Sequence, residues 1–257
     1  MLSIFWYVLI FFLGASVGSF LNVLVTRTVR GEGWVKGRSR CDHCKKTLAS
    51  YDMIPVLSYL LYRGKSRCCH KPLSYQHLVV ESLTGLLFVW WAALSSAFFL
   101  LVTQPGQTAQ PVFWLITGIL FLAIAVSDQY YGVIPLPFVW IGVILTLGYR
   151  LILIMTGTYM PMDLVWSVVA AGVLSGFYLL LRVITRGAGM GEGDVWLAIY
   201  LGLVMGWTRI LTGTMVAFVG GSIVGIVLIM FKLKTRKETI PFGPFMVLGA
   251  IASLIWG

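Results

Sequence analysis

The chain has 257 residues, of which 59% are hydrophobic and 11% charged, and its mean hydropathy is +0.91. Soluble domains are about 45–50% apolar, so this composition excludes an ordinary soluble protein. The net charge is +10, and residues 26–77 alone hold 11 of the 19 Lys and Arg against three of the nine Asp and Glu. A basic segment between apolar runs is typical of a cytoplasmic loop. We therefore expect attraction to anionic lipid and no nucleic-acid partner.

The apolar residues form runs long enough to cross the hydrocarbon core of a membrane as helices. The short alternating segments of a β-barrel are not seen in the sequence. We predict an all-α polytopic membrane protein with about eight transmembrane helices and a small cytoplasmic cysteine-containing loop domain between helices one and two. Its three parts are a first transmembrane helix in residues 1–25, the basic loop domain in 26–77 and a transmembrane core in 78–257.

The eight predicted spans are residues 4–25, 78–102, 111–126, 136–155, 164–184, 195–206, 210–231 and 244–256. The first is too long for the core of a typical signal peptide, so we expect it to be retained. With the N-terminus outside, 17 Lys and Arg lie inside, whereas Arg150 and Arg209 lie outside. The sixth and eighth spans are short enough to be re-entrant instead. This topology brings Asp128 and Asp194 to the same cytoplasmic edge.

The first span carries Gly14, Gly18 and Asn22 at four-residue spacing, which places them on one stripe of the helix. Small residues at that spacing allow a neighbouring helix to approach closely, and an asparagine can hydrogen-bond to it. The stripe therefore serves either simple helix packing or a specific polar contact with the neighbouring helix. Glu81 lies near the cytoplasmic start of the second span, where it is either an interfacial side chain or a functional one.

The basic loop contains all four cysteines, which are Cys41, Cys44, Cys68 and Cys69. Two pairs of thiolates can close one tetrahedral zinc site, and disulfides are disfavoured in a reducing cytoplasm. The loop is also too short to bury much core without such a staple. Adjacent side chains do not readily share one metal, so His43 or His70 is an alternative ligand. The alternative to a zinc site is a metal-free loop whose four thiols are free.

The stretch Gly189-Met190-Gly191-Glu192-Gly193-Asp194 sets two acids among glycines, directly before an apolar run. Ionisable residues at membrane depth are costly and usually mark a functional site. Asp128, at the end of the third span, is the expected partner of Asp194. Two close carboxyls share one proton, so one acts as a base while the other polarises a carbonyl, as in aspartic proteases. The alternative is that Asp194 only caps its helix and Asp128 is an ordinary interfacial residue.

The chain resembles the type IV prepilin peptidase family, whose intramembrane aspartyl site pairs an Asp with the Asp of a G-x-G-D motif. The matching stretches are residues 18–23, the C-x-x-C of 41–44, residues 52–58, 63–65 and 81–85, Asp128 with Ile134-Pro135, Gly191-Glu192-Gly193-Asp194, and residues 240–245. Several unrelated matches in the same order extend the resemblance over nearly the whole chain.

The resemblance implies an aspartic endopeptidase of the bacterial inner membrane that removes the short basic leader of type IV prepilins or pilin-like secretion subunits. Cleavage would occur at the cytoplasmic face, with Asp128 and Asp194 as the catalytic pair and no cofactor. Many family members also methylate the new N-terminal amine with S-adenosylmethionine. Candidate substrate contacts are the glycines that permit close backbone approach and the acids that suit a basic leader: Gly191, Glu192, Gly193 and Glu81.

The chain departs from the family pattern at two places. The second cysteine pair of the family would fall at positions 66 and 69, where this chain has Ser66 and Cys69, with Cys68 between them. A lysine common two residues after the catalytic Asp is Trp196 here. The first departure bears on zinc and methylation, and the second bears on substrate preference.

Two other functions compete with the peptidase. One is a proton-coupled transporter that uses Asp128 and Asp194 as a relay, since membrane acids and broken helices also mark transport paths. The other is a membrane scaffold whose zinc loop recruits a partner. Transporters usually place such acids near the midplane, whereas these acids are predicted at one edge and the sequence has no evident inverted repeat.

Overall fold

The computed structural model describes residues 4–33, 41, 43–101, 109–187, 189–235 and 238–256, without the side chains of 50 and 96–101. Within these ranges every regular element is a helix, apart from one isolated bridge between Lys65 and Pro72. The predicted all-α class is therefore confirmed. Much of the basic loop's first half, most of the predicted outside loop at 103–110, Arg236 and Lys237 lie outside the described residues.

The described residues form the helices α1 Ile4–Val29, α2 Leu57–Leu61, α3 Tyr75–Leu101, α4 Ala109–Tyr131, α5 Leu136–Met155, α6 Pro161–Ile184, α7 Glu192–Met205, α8 Ile210–Met230 and α9 Gly243–Trp256. Six of them, α1, α3, α4, α5, α6 and α8, are long and apolar enough to cross a membrane. The chain is thus multi-pass. Helices α7 and α9 have 14 residues each, fewer than the ~20 that a straight crossing needs. By length and composition, the described helices therefore support six crossings and not the predicted eight.

The first compact unit consists of the described residues up to 101, with 114–123 of α4. Its helices α1 and α3 pack side by side at the predicted small-residue stripe. A Cβ added to Gly18 would lie 2.8 Å from Thr84 Oγ1 and 2.9 Å from Glu81 Cα, so only glycine fits. Gln76 Nε2 donates a hydrogen bond to Asn22 Oδ1 at 3.3 Å. The stripe therefore serves both close packing and a polar contact between helices.

The second compact unit contains 109–113, 124–131 and the helices from α5 to α9. The short helix α7 is its core, because ten of its 14 residues are buried. It packs on α5, α6 and α9, and two glycines make this possible. Gly202 lies against the backbone of Ala171, and Gly142 of α5 lies under the ring of Tyr200. Helix α7 is therefore held along its sides by close packing.

Candidate active site and metal site

Asp128 lies near the end of α4 and is only 7% exposed. Its Oδ2 accepts a hydrogen bond from the backbone N–H of Gly243, the first residue of α9, at 2.7 Å. A Cβ added to Gly243 would lie 2.8 Å from that oxygen and 3.1 Å from Asp128 Cβ. The glycine therefore allows the start of α9 to reach the carboxyl. The N–H groups of a helix start also favour negative charge beside them.

Asp194 lies in the first turn of α7 and is likewise 7% exposed. Its Oδ2 accepts a hydrogen bond from the backbone N–H of Gly191 at 2.9 Å, which is the capping contact raised as an alternative role. The carboxyl also interacts electrostatically with Asp128. The capping contact is therefore present, and the two carboxyls interact, while their pairing in catalysis stays a prediction. In the described part of the chain each Asp uses Oδ2 for a backbone N–H, and we find no protein hydrogen bond to Oδ1 of either.

The glycines of the G-x-G-D stretch are needed for packing. A Cβ on Gly193 would lie 2.8 Å from Ile134 Cβ, and one on Gly191 would lie 3.1 Å from Asp194 Oδ2. Ile134 belongs to the turn between α4 and α5, which Ser127 Oγ stabilises by donating to Val133 O at 2.7 Å. The start of α7 therefore rests on the segment that directly follows Asp128, and this contact brings the two acids into one site.

The two glutamates predicted to contact substrate differ in environment. Glu192 begins α7, is well exposed and forms an ion pair with Arg182 of α6 at 3.2 Å. Glu81 is buried in the first unit, where its Oε2 accepts the backbone N–H of Val56 at 2.8 Å. Val56 has a φ of 62°, a strained conformation for a β-branched residue. Glu81 thus fixes a loop of the first unit, whereas Glu192 lies beside Asp194.

Tyr178 of α6 is a neighbour of Asp194 that the sequence did not single out. It is 1% exposed and interacts electrostatically with Asp194. Its ring lies 6.0 Å from that of Phe218 and 6.2 Å from that of Phe242, which directly precedes Gly243. The aromatic cluster therefore packs beside the Asp194 end of α7 and the Gly243 start of α9. An aromatic residue on an apolar helix carries no sequence signal for such a position.

The cysteines lie on two turns with the same backbone pattern. In the first, Cys41 N donates to Lys46 O and Lys45 N donates to Cys41 O. In the second, Ser66 N donates to Lys71 O and His70 N donates to Ser66 O, and residue five of each turn has a positive φ, 58° at Lys45 and 55° at His70. Ser66 therefore occupies the position that Cys41 has in the first turn.

All four cysteine sulfurs lie within 4.8 Å of one another, a grouping that can hold a metal ion. The adjacent Cys68 and Cys69 both take part, at 3.0 Å from Cys44 and 3.8 Å from Cys41 respectively. Ser66 Oγ lies 3.2 Å from Cys41 Sγ and 3.1 Å from Cys68 Sγ. The thiols thus fit a tetrahedral soft-metal site, with the Ser66 hydroxyl beside two of them.

Two further observations support this ligand set. Burial raises the pKa of the Cys41 thiol, but hydrogen bonds from the backbone N–H groups of Cys44 and His43 and from Ser66 outweigh it and lower the pKa to about 6. The pKa of Cys68 moves the other way, because the hydrogen bond with Ser66 lowers it but the contact with Cys44 and burial raise it to about 11. A thiolate is the form that binds metal. The ring of His43 is occupied elsewhere, since its Nε2 is 2.9 Å from Pro72 O. In the described residues no histidine joins the thiol group.

The first unit also contains a cavity of about 670 Å³. Its wall includes Asn22, Glu81, Ser58 and Tyr59, and five cations line it as well: Arg27, Arg30, Lys45, Lys65 and Arg67. Asn22 is 2% exposed, and among the described residues its Nδ2 has no hydrogen-bond partner. A buried amide donor without a partner costs free energy, so this wall is suited to a ligand with a hydrogen-bond acceptor.

Comparison with known proteins gives two adjoining family matches. Residues 12–95 match the Bacterial Peptidase A24 N-terminal domain, and residues 115–230 match the Type IV leader peptidase family. The first match lies in the first compact unit, and the second contains both Asp128 and Asp194. No solved structure matches the chain.

Three curated relatives are each named Prepilin leader peptidase/N-methyltransferase. That of Burkholderia pseudomallei (strain 1026b) is 30% identical over 280 residues, covering 95% of this chain and 84% of the relative. That of Aeromonas hydrophila is 27% identical, covering 98% and 91%, and that of Myxococcus xanthus (strain DK1622) is 33% identical, covering 90% and 66%. With both family models matched and such coverage, the chain belongs to the type IV leader peptidase family.

Proposed function

We propose that the protein is a prepilin leader peptidase and N-methyltransferase. It removes the short basic leader of type IV prepilins or pilin-like secretion subunits and methylates the new N-terminus. The observation that carries the proposal is the pair of buried, interacting carboxyls Asp128 and Asp194, within the residues that match the leader peptidase family. Family membership favours this activity over a proton-coupled transporter that uses the same two acids as a relay.

The proposed reaction needs only the two carboxyls and one water. The ionised Asp accepts a proton from the water, whose oxygen attacks the carbonyl carbon of the scissile peptide, while the protonated Asp donates to the carbonyl oxygen. The tetrahedral intermediate then collapses, the C–N bond breaks and a proton passes to the leaving amine. The N–H groups of Gly243 and Gly191 hold each carboxyl by Oδ2, which leaves the Oδ1 atoms for water and substrate.

The methyl donor is S-adenosylmethionine, which supplies an electrophilic methyl group when it is bound. The cavity of the first unit fits such a molecule in volume, since ligand pockets are typically ~300–1,000 Å³. Its wall offers the unpartnered amide of Asn22, the carboxylate of Glu81 and the ring of Tyr59. Asn22 would bind a carboxylate or carbonyl of the donor, and Glu81 would lie beside its positive charge. Peptide cleavage in the second unit requires no cofactor.

The metal is zinc, held by Cys41, Cys44, Cys68 and Cys69. The four clustered sulfurs support this ligand set, and zinc prefers thiolates in a tetrahedral arrangement. Among the described residues, the loops between α1 and α3 contain few buried apolar side chains, so zinc binding would supply part of their folding free energy. The ion has no part in the hydrolysis.

We further propose eight crossings of the bacterial inner membrane with the N-terminus outside, so that 26–77 is the cytoplasmic loop domain and 78–257 the peptidase core. The count includes the short helices α7 and α9. The basic loop would lie on anionic lipid at the cytoplasmic face.

A membrane-impermeant thiol reagent added to intact cells should label a cysteine placed at Pro161. It should not label a cysteine placed at Thr235 until the membrane is opened; labelling of both positions from outside contradicts the topology.

The decisive experiment incubates the purified protein with a prepilin and reads both products by mass spectrometry. We expect a free leader and a mature subunit, and in the presence of S-adenosylmethionine a mature subunit with one added methyl group. An unprocessed substrate, together with proton-coupled uptake in vesicles, supports the transporter instead. Cleavage without methylation retains the peptidase and removes the second activity.

A further inference from the structure

The C-terminal end of α7 is bonded to a side chain from another helix. Arg150 of α5 donates from Nε and Nη2 to Leu203 O, at 3.0 and 2.7 Å, and Nη2 also lies 3.5 Å from Val204 O. The last carbonyls of a helix have no partner within the helix. Here Gly206, with a φ of 73°, donates its N–H to Gly202 O at 2.9 Å, and Arg150 takes the next two carbonyls.

These bonds matter because α7 is shorter than the hydrocarbon core of a typical membrane. Its 14 residues give a length of ~21 Å, against a hydrocarbon thickness of ~30 Å. If it begins at the cytoplasmic edge, its last carbonyls lie at a depth where water cannot satisfy them. A guanidinium satisfies them and also complements the negative end of the helix dipole. Asp163 at the start of α6 interacts electrostatically with Arg150 and balances part of its charge.

The other end of the same helix carries Asp194. Leu203 follows Asp194 by nine residues, so their backbones are separated by ~14 Å along the axis, and Arg150 does not touch the acid pair. The close contacts of Gly193 and Gly202 hold the sides of α7, and such apolar contacts are not directional. The three contacts from Arg150 are directional and fix the position of the helix along its axis.

We propose that Arg150 is a positioning residue for the peptidase, which sets the axial position of α7 and thereby the distance between Asp194 and Asp128. The inference rests on the proposed function, because it assigns Asp194 a catalytic role. A misplacement of ~1 Å at a catalytic group costs on the order of 10²-fold in rate. Arg150 therefore acts on the chemical step from the far end of the helix.

The test compares Arg150→Met, Arg150→Lys and the wild type, with Lys232→Met as the control that removes an exposed charge of the same unit. Prepilin cleavage gives kcat and KM, and hydrogen–deuterium exchange gives the protection of α7 amides. For Arg150→Met we expect kcat to fall about 10- to 100-fold with KM within about twofold, and faster exchange in α7. Arg150→Lys should recover part of kcat, since lysine retains the charge but not the forked donors.

Two kinetic outcomes overturn the proposal: wild-type kcat in Arg150→Met, or an equal loss in all variants including Lys232→Met. If Arg150→Met does not fold, Arg150→Lys decides, because a lowered kcat at unchanged KM supports positioning and wild-type kcat overturns it. If the wild type cleaves no prepilin, the proposed function fails separately. Hydrogen–deuterium exchange is then the remaining test of Arg150. Unchanged protection of the α7 amides in Arg150→Met would overturn the proposal that Arg150 fixes the position of α7.

Discussion

The acid pair of the second unit and the thiol group of the first unit are both clusters of reactive side chains, but they are held in different ways. Asp128 and Asp194 extend from long or fully packed helices, and each is fixed by a backbone N–H at a helix start. The thiols extend from short turns in which few of the described residues are buried. Packing of the helices therefore preorganises the acid pair, whereas the thiol group has to be held in place by the metal that it binds.

Substituting either acid should have the largest effect. Asp128→Asn and Asp194→Asn should each lower cleavage by about 10³-fold or more, and the double variant should be little worse, because the pair acts as one unit. In Asp194→Asn the side-chain amide oxygen can still accept the N–H of Gly191, so the cap is retained while the proton-transfer role is lost. The measurement is kcat/KM for prepilin, with circular dichroism as the folding control. Near-wild-type cleavage by Asp194→Asn would show that Asp194 is only a cap.

The backbone support of Asp128 should matter next. Gly243→Ala places a Cβ 2.8 Å from Asp128 Oδ2, so the start of α9 has to shift, and cleavage should fall by about 10²-fold. Gly220→Ala is the matched control, because its Cβ would meet the ring of Phe245 at 3.8 Å, an ordinary contact. Equal activity in the two variants would mean that packing around Asp128 is softer than the helix arrangement indicates.

Much of this arrangement followed from the sequence. Long apolar runs predicted the positions of the six membrane-capable helices to within a few residues, because hydrocarbon thickness sets the length of a crossing. The catalytic pairing of Asp128 and Asp194 stays a prediction. Gly191 and Gly193 were expected to admit a substrate backbone, whereas the contacts found at them are with Asp194 and Ile134 of the protein itself. Helix α1 continues to Val29 rather than ending at 25, since arginine can extend a helix past the membrane edge.

Contacts between distant segments were not predictable. Arg150 was predicted only to lie on the outer side, and nothing in the sequence indicated that its guanidinium bonds to the end of α7. Tyr178 reads as one more apolar residue of α6, and its position beside Asp194 depends on how α6 packs on α7. Adjacent Cys68 and Cys69 were expected to compete for one metal, whereas the second turn brings both sulfurs into the group. Each depends on packing across the fold, which periodicity does not report.

Metal removal should disturb the first unit more than it disturbs cleavage. Cys44→Ser should lower the zinc content of the purified protein, and a chelator should loosen the loops between α1 and α3, while cleavage falls by about tenfold or less. His43→Ala is the control that keeps the thiols. Ser66→Cys gives the second turn the same first residue as the first turn, so zinc should resist chelation better. Elemental analysis showing no zinc in the metal-replete wild type would remove the metal site.

The smallest effect is expected at the exposed ion pair beside Asp194. Such pairs contribute about 0–1 kcal/mol to stability, so neither Glu192→Gln nor Arg182→Gln should unfold the protein. If Glu192 contacts the basic leader, Glu192→Gln should raise KM about threefold, while Arg182→Gln should lower KM because it frees the carboxylate for substrate. kcat should stay constant in both, since neither residue touches the reacting atoms.

A purely structural pair would change KM in the same direction in both variants. Steady-state kinetics with a basic leader and with a leader whose lysines are replaced by glutamine separate the two, because the opposite shifts should disappear with the neutral leader.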